Sequence, residues 1–359
     1  MNRYSKRRVM PAAAALVAVI LALSGCAGGS SPAAQEGSGG SNVNADAPPP
    51  TPPTDVAEFQ PVEPGSGEGL TVGFTQLTLA AAFPTALQAG MEAAAEEAGL
   101  ELITCDSKFD TATALDCARQ FKSQNVDGLV TFQADAAASP SICEEGPQVP
   151  VVAIDIVQDP CQSTFVGAAN DYAGQLIGYN VAKYFADNFD CEYDAYISLE
   201  STAVGAVNDA RMDGTREGFE SVCGPVHDEK ILDTGAGGQT DVAQRLFTDT
   251  LTALPGAKRI VVVGINEDVI LGALAAARAQ DRTDDLYIGV QNLDPDNCAI
   301  LTFDHWIGSA AYFPEKYALL IVPAIIDLIK GEEVPEQILV PHEFITKETL
   351  LDYYPEYSC

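Results

Sequence analysis

Val149-Pro150-Val151-Val152-Ala153-Ile154-Asp155 is an apolar run without polar alternation, closed by an aspartate. A strand with one wet face alternates. A strand buried on both faces reads as a continuous apolar run, which is the signature of a parallel sheet covered by helices on each side. Gly128 to Phe132 has the same character. Working outward, Leu70–Thr75 and Leu100–Cys105 read as strands, and Thr85–Ala98 and Ala112–Gln124 as helices. Gly99 suits the first helix's C-terminus because it enters the left-handed region without steric cost. After a middle helix, Ala173–Phe189, the pattern restarts. Strands at Asp194–Leu199, Lys230–Asp233, Lys258–Val263 and Leu286–Val290 alternate with helices at Asp209–Val222, Thr240–Ala253 and Asp268–Ala279. Strand then helix, repeated, predicts an α/β fold with two doubly wound halves of similar size. The runs Ile300–Phe303 and Ser309–Tyr312 follow. A helix at Glu315–Lys330 then ends at Gly331, and Ile338–Tyr357 carries one short extended run and little regular pattern.

The ends of the chain add a location. Arg3, Lys6, Arg7 and Arg8 precede an apolar run from Ala12 to Leu23, too short to span a bilayer, which needs roughly 20 residues. Leu23-Ser24-Gly25-Cys26 then resembles the lipobox of bacterial lipoproteins, which makes residues 1–25 a signal peptide and Cys26 the lipidation site. Residues 26–68 are rich in Gly, Ser, Pro and Ala, with Pro48-Pro49-Pro50-Thr51-Pro52-Pro53 at the centre. Such a composition reads as a flexible spacer that holds the body off a membrane. The chain has 19 basic and 51 acidic residues, a net charge of −32. That field repels nucleic acid and anionic lipid surfaces. With Cys26 set aside, eight of the nine cysteines remain: Cys105, Cys117, Cys143, Cys161, Cys191, Cys223, Cys298 and Cys359. An even number in an exported chain reads as disulfides, with 105 possible pairings. Zinc is disfavoured, because no Cys-x-x-Cys occurs and there are only three histidines.

Four stretches, in order, give the body a family resemblance. They are Thr71-Val72-Gly73-Phe74 with Phe83-Pro84 and Leu87-Gln88-Ala89-Gly90; Val126-Asp127-Gly128-Leu129-Val130; Val149 to Asp155; and Asn266 to Leu274. Together they resemble the type I periplasmic binding proteins, most closely the ribose-binding-protein-like sugar receptors of ABC transporters. The resemblance implies two doubly wound parallel-sheet lobes joined by a three-strand hinge and closing on a ligand. Lobe 1 would be 69–169 plus 313–340, and lobe 2 would be 170–312 plus 341–359. Bacterial repressors use the same fold as an effector domain, but a leader and spacer stand here where their helix-turn-helix would be. Ligands of open α/β sheets sit where the loops converge at the strands' carboxyl ends, and the singled-out loops all follow strands.

A sugar needs hydrogen-bonding groups around its edge and aromatic rings for its faces. The resemblance makes Asp155 a carboxylate for ligand hydroxyls, although an aspartate at a strand end also caps turns. It makes Phe83 a stacking ring, which could equally pack beneath its loop. Arg211 matches the arginine of the second lobe's first loop, with Arg216 as the nearby alternative. Asn266 matches the ligand asparagine, Gln291 stands where the family usually has aspartate, and Tyr312 where it often has glutamine. Gln133, after the third strand, is a further candidate. The chain departs from the family at Ile156, where an arginine is common, and at Ala81, where an asparagine is, which points to a ligand other than ribose. Trp306 reads as core. In the implied frame neighbouring cysteines share a lobe, giving Cys105–Cys117, Cys143–Cys161, Cys191–Cys223 and Cys298–Cys359 as a working hypothesis that leaves the hinge free.

The expected function is the extracytoplasmic binding component of an ABC importer, taking a monosaccharide or related polyol. It would be anchored by lipid to the outer face of the cytoplasmic membrane and act as a monomer beside permease subunits, with no cofactor, no metal and no catalysis. Nucleophile-elbow, zincin, phosphate-loop and dinucleotide-binding motifs are missing from the sequence. The alternatives are a receptor for another polar solute, such as a nucleoside or signalling molecule, or an exported carbohydrate-active enzyme.

Overall fold

The computed structural model describes residues 43–235, 237–357 and 359. The leader and Cys26 lie outside the described residues. The chain begins with β1 (Thr71–Gln76), α1 (Ala82–Ala98), β2 (Glu101–Asp106), α2 (Thr111–Gln124), β3 (Gly128–Thr131), α3 (Ser139–Glu145), β4 (Val151–Ile154) and β5 (Thr164–Ala168). It continues with α4 (Asn170–Phe189), β6 (Ala195–Glu200), α5 (Ala206–Cys223), β7 (Glu229–Asp233), α6 (Thr240–Ala253), β8 (Ile260–Gly264), α7 (Glu267–Ala279), β9 (Leu286–Gln291), α8 (Cys298–Leu301) and β10 (Trp306–Ala311). Last come α9 (Ala318–Lys330), β11 (Gln337–Val340), β12 (Glu343–Ile345) and α10 (Leu350–Tyr353).

These strands form two six-stranded sheets. Lobe 1 has the order β11-β5-β4-β3-β1-β2, with every pair parallel. Lobe 2 has the order β12-β10-β9-β8-β6-β7, parallel except that edge strand β12 runs against β10. The apolar runs β3, β4, β8 and β9 are buried along their whole length. The chain passes between the sheets three times, from β5 to α4, from β10 to α9 and from β11 to β12.

Helices α4 and α5 pack at backbone distance. A methyl group on Gly178 would strike the Thr215 carbonyl oxygen, and one on Gly174 the Arg211 carbonyl oxygen. Gly214 and Gly218 on α5 return the contact against the carbonyls of Asp171 and Gln175. This seating fixes the height of Arg211 above the sheet.

Four disulfides join Cys105 to Cys117, Cys143 to Cys161, Cys191 to Cys223 and Cys298 to Cys359. They are the pairs of neighbouring cysteines set out above as a working hypothesis, and none crosses the hinge.

The structure departs from expectation in several places. The described part of the expected flexible spacer, residues 43–68, is packed on the body. Asn44 N–H donates to Val222 O at 2.7 Å, Lys183 Nζ to Ala45 O at 2.7 Å and Tyr179 Oη to Ala47 O at 2.9 Å. Further on, Ala57 N–H donates to Leu339 O, the Phe59 ring meets Phe313 at 6.2 Å, and Gly65 and Gly67 donate to α1 carbonyls. The carbonyls of Ala45 and Ala47 accept from side chains of the body, while Ala47 N–H turns back to Asn44 O at 2.9 Å. Strand β5 and helix α3 lack a sequence counterpart, being short segments without clear periodicity. Pro314–Lys316 forms a 3₁₀ turn, so α9 starts later than expected, and Cys298–Leu301 forms a short helix where no element was assigned. Trp306 is buried, and its Nε1 donates to Ser309 Oγ at 3.1 Å.

Candidate functional site

The carboxyl ends of the two sheets face one cleft of about 440 Å³, within the roughly 300–1,000 Å³ typical of small-molecule sites. Asp155 follows β4 directly in the left-handed region, with φ 53°. Its Oδ1 accepts from Ala168 N–H at 3.0 Å, which turns the carboxylate toward the first interlobe crossing. Burial pushes its carboxyl up, while the Arg211 guanidinium and the Ala168 bond pull the other way.

Arg211 reaches the cleft from α5. Its Nε donates to Asn170 Oδ1 at 2.7 Å and its Nη1 to Ile265 O at 3.0 Å. Its guanidinium lies 4.9 Å from the Tyr312 ring centroid, within cation–π range. The competing Arg216 is held elsewhere, ion-paired with Glu200, Asp213 and Glu229. Tyr312 lines the cleft from the second crossing and donates to Gln291 Oε1 at 2.7 Å. Burial pushes its phenol up to about 12. Gln291 does not line the cleft; it lies fully buried behind Tyr312 and orients it.

Asn266 both lines the cleft and caps α7. Its Oδ1 accepts from Val269 N–H at 3.2 Å and its Nδ2 donates to Gly237 O at 2.7 Å. Phe83 likewise serves two purposes. It faces the cleft while its ring meets Phe132, Tyr312 and Tyr317 edge-on at 5.6–6.4 Å. Gln133 borders the cleft, but its Nε2 is bonded to Ser139 Oγ and Gln158 Oε1. Of the seven candidate residues, six therefore converge on one cavity and Gln291 stands behind it.

Residues 72–333 match a family described as periplasmic binding protein domain. The chain belongs to that family. Solved structures agree on the fold. An ABC transporter solute-binding protein from Bacillus halodurans C-125, with bound myo-inositol, is 19% identical over 81% of this chain and 99% of its own, with a TM-score of 0.66. One from Mycobacterium smegmatis, with bound glycerol, is 23% identical over 78% and 94%, TM-score 0.67. One from Actinobacillus succinogenes 130z, with bound D-allose, is 19% identical over 79% and 100%, TM-score 0.67. These similar structures are solute-binding proteins, not enzymes. No curated protein sequence matches the chain. Among the described residues, no helix is long and apolar enough to cross a membrane.

Within this periplasmic binding protein frame the structure adds residues that the sequence reading missed. Glu267, Asp268, Asp294 and Asp296 line the lobe 2 side. Burial pushes the Glu267 carboxyl up to about 8, although it accepts from Asp294 N–H at 3.1 Å and Asn292 Nδ2 at 3.0 Å. The sequence did offer a signal, since Glu267 and Asp268 adjoin Asn266 directly. Phe109, on the loop after β2, also lines the cleft, and nothing in its sequence context marks it. His342 sits in the third crossing. It accepts from Ala169 N–H of the first at 3.0 Å through Nε2, and its Nδ1 is 3.1 Å from Ala311 O, where the second crossing begins. One imidazole thus ties all three crossings together.

Proposed function

We propose that this chain is the extracytoplasmic binding component of an ABC importer, taking a monosaccharide or related polyol between its lobes. The observation that carries the proposal is the cleft at the carboxyl ends of both sheets, where Asp155 from one lobe and Arg211 from the other line one cavity with Tyr312. A polyol hydroxyl can donate to the carboxylate and accept from the guanidinium, so a bound ligand joins the lobes. We take 69–169 with 313–340, and 170–312 with 341–359, as the units that move. Phe83, Asp155, Arg211, Asn266 and Tyr312 contact the ligand, Gln133 borders it with its amide nitrogen held by Ser139 and Gln158, and Gln291 positions Tyr312. Cys26 carries the lipid that tethers the monomer to the outer face of the cytoplasmic membrane, where it meets its permease.

A thermal-shift screen of pentoses, hexoses and cyclitols tests this reading. A bound ligand at one hundred times its Kd stabilises by about 2.7 kcal/mol, a shift of several degrees. Absence of any shift across the panel, or turnover of a sugar, overturns the reading.

A further inference from the structure

The cleft walls differ in chemistry. Lobe 1 presents Leu77, Ala81, Phe83, Phe109, Phe132 and Ile156. Its polar side chains in the cleft are Asp155 and Gln133, and the Gln133 amide nitrogen is already bonded to Ser139 and Gln158 while its oxygen is sealed from solvent. The hydrogen-bonding groups stand chiefly on lobe 2, with Arg211, Asn266, Asp268, Asp294 and Asp296, though Val204, Val207 and Leu271 extend the apolar surface there. Hydroxyls that faced the lobe 1 wall would be buried there with few partners. A hydroxyl desolvated in that way weakens binding, and an apolar group of similar shape strengthens it.

Phe109 sharpens the point. Its backbone is in the left-handed region, φ 59°, which a bulky residue adopts only when its surroundings impose it. A bond from its N–H to Leu77 O at 2.8 Å holds it there. Phe109 is 51% exposed, and its ring reaches across the cleft toward lobe 2, where a Cβ on Gly237 would lie 3.9 Å from its Cε1. An exposed aromatic held in a strained turn over a cavity is placed for burial by whatever fills that cavity.

We propose that the ligand is a sugar or polyol bearing an apolar substituent, with the substituent seated against the lobe 1 wall and Phe109 as the ring that covers it. The proposal rests on the solute-binding reading above and narrows its substrate class.

The test uses the full chain and matched ligands by titration calorimetry. Each sugar of the panel is compared with its methyl and phenyl glycosides, and ribose also with adenosine. The expected result is at least one substituted ligand binding tenfold or more tightly than its parent, which is about 1.4 kcal/mol. Phe109→Ala then narrows that gap to about twofold, Phe109→Tyr restores it, and the unliganded melting temperature stays within about 2 °C of wild type. If parent sugars bind as tightly as their substituted forms, the inference falls and the solute-binding reading stands. If no ligand of either kind binds, both fall. A preference that survives Phe109→Ala, or a large loss of unliganded stability in that variant, removes Phe109 from the role.

Discussion

His342 shows how much one side chain carries in this fold. It lies at the third crossing, 5% exposed, with the Tyr312 ring 4.5 Å away and bonds to Ala169 and Ala311 at the other two. The bond from Ala169 requires Nε2 to be an acceptor, so the ring must be neutral. Burial lowers its pKa to about 4, opposed by the Ala311 bond and reinforced by the Arg211 charge. An unfolded histidine titrates near 6.5. Between those values the unfolded chain binds a proton that the native ring does not. The histidine's contribution is therefore whole above pH 6.5 and declines as pH falls toward 4, by up to about 3 kcal/mol. Glu267, whose pKa is raised, works in the opposite sense. The informative measurement is thus wild type against His342→Gln, by urea unfolding at pH 7 and pH 4.5. The variant should lose less stability on acidification; equal losses would show that the imidazole is not the titrating group. Asp155→Asn belongs to the same scale. It keeps an oxygen for Ala168 N–H and removes the charge that faces Arg211, so ligand affinity should drop tenfold or more by calorimetry while the fold persists.

At the scale of elements, the α4–α5 pair decides where Arg211 stands. Gly174 and Gly178 on one helix, and Gly214 and Gly218 on the other, let the backbones touch. Gly178→Ala inserts a methyl group where there is no room and should cost about 1–3 kcal/mol. It should also weaken ligand binding, because Arg211 moves with its helix. Gly256→Ala, where an added Cβ meets nothing within 4 Å, should be neutral in the same melting experiment. These elements were legible to different degrees. Strands buried on both faces and helices ended by Gly99 and Gly331 carried their signals locally, so β3, β4, β8 and β9 at the centre of the sheets could be read from apolar runs. Strands β11 and β12 showed only as one short extended run, since their partners are Phe165 to Ala168 and Ser309 to Ala311, far away in sequence. The site followed the same rule. Asp155 and Asn266 end or follow legible strands, whereas Phe109 and His342 owe their places to contacts between segments that local sequence does not record. Gln291 follows a legible strand too, yet a shift behind the cleft wall is invisible without side chains in place.

For the whole molecule, the segment 43–68 changes what closure involves. Its early part is bonded to Tyr179, Lys183 and Val222 on lobe 2, and its later part to Leu339 and α1 on lobe 1. Within the later part, Phe59 meets Phe313 at the second crossing, with Lys316 over both rings. The four disulfides each stay within one lobe and leave the hinge unconstrained; this strap does not. Rotation of the lobes changes the span between its two anchored ends. Two hydrogen bonds from side chains, worth together about 1–3 kcal/mol, then bias the lobes toward the arrangement in which both line the cleft. The double variant Tyr179→Phe with Lys183→Met removes the donors to Ala47 and Ala45 and leaves both lobe cores intact. Apparent ligand affinity scales with the fraction of molecules in the binding-competent arrangement. Calorimetry should therefore show up to about a tenfold loss, and small-angle scattering a larger radius of gyration for the unliganded protein. If both stay at wild-type values, the strap follows the lobes passively and closure is governed by the three crossings alone.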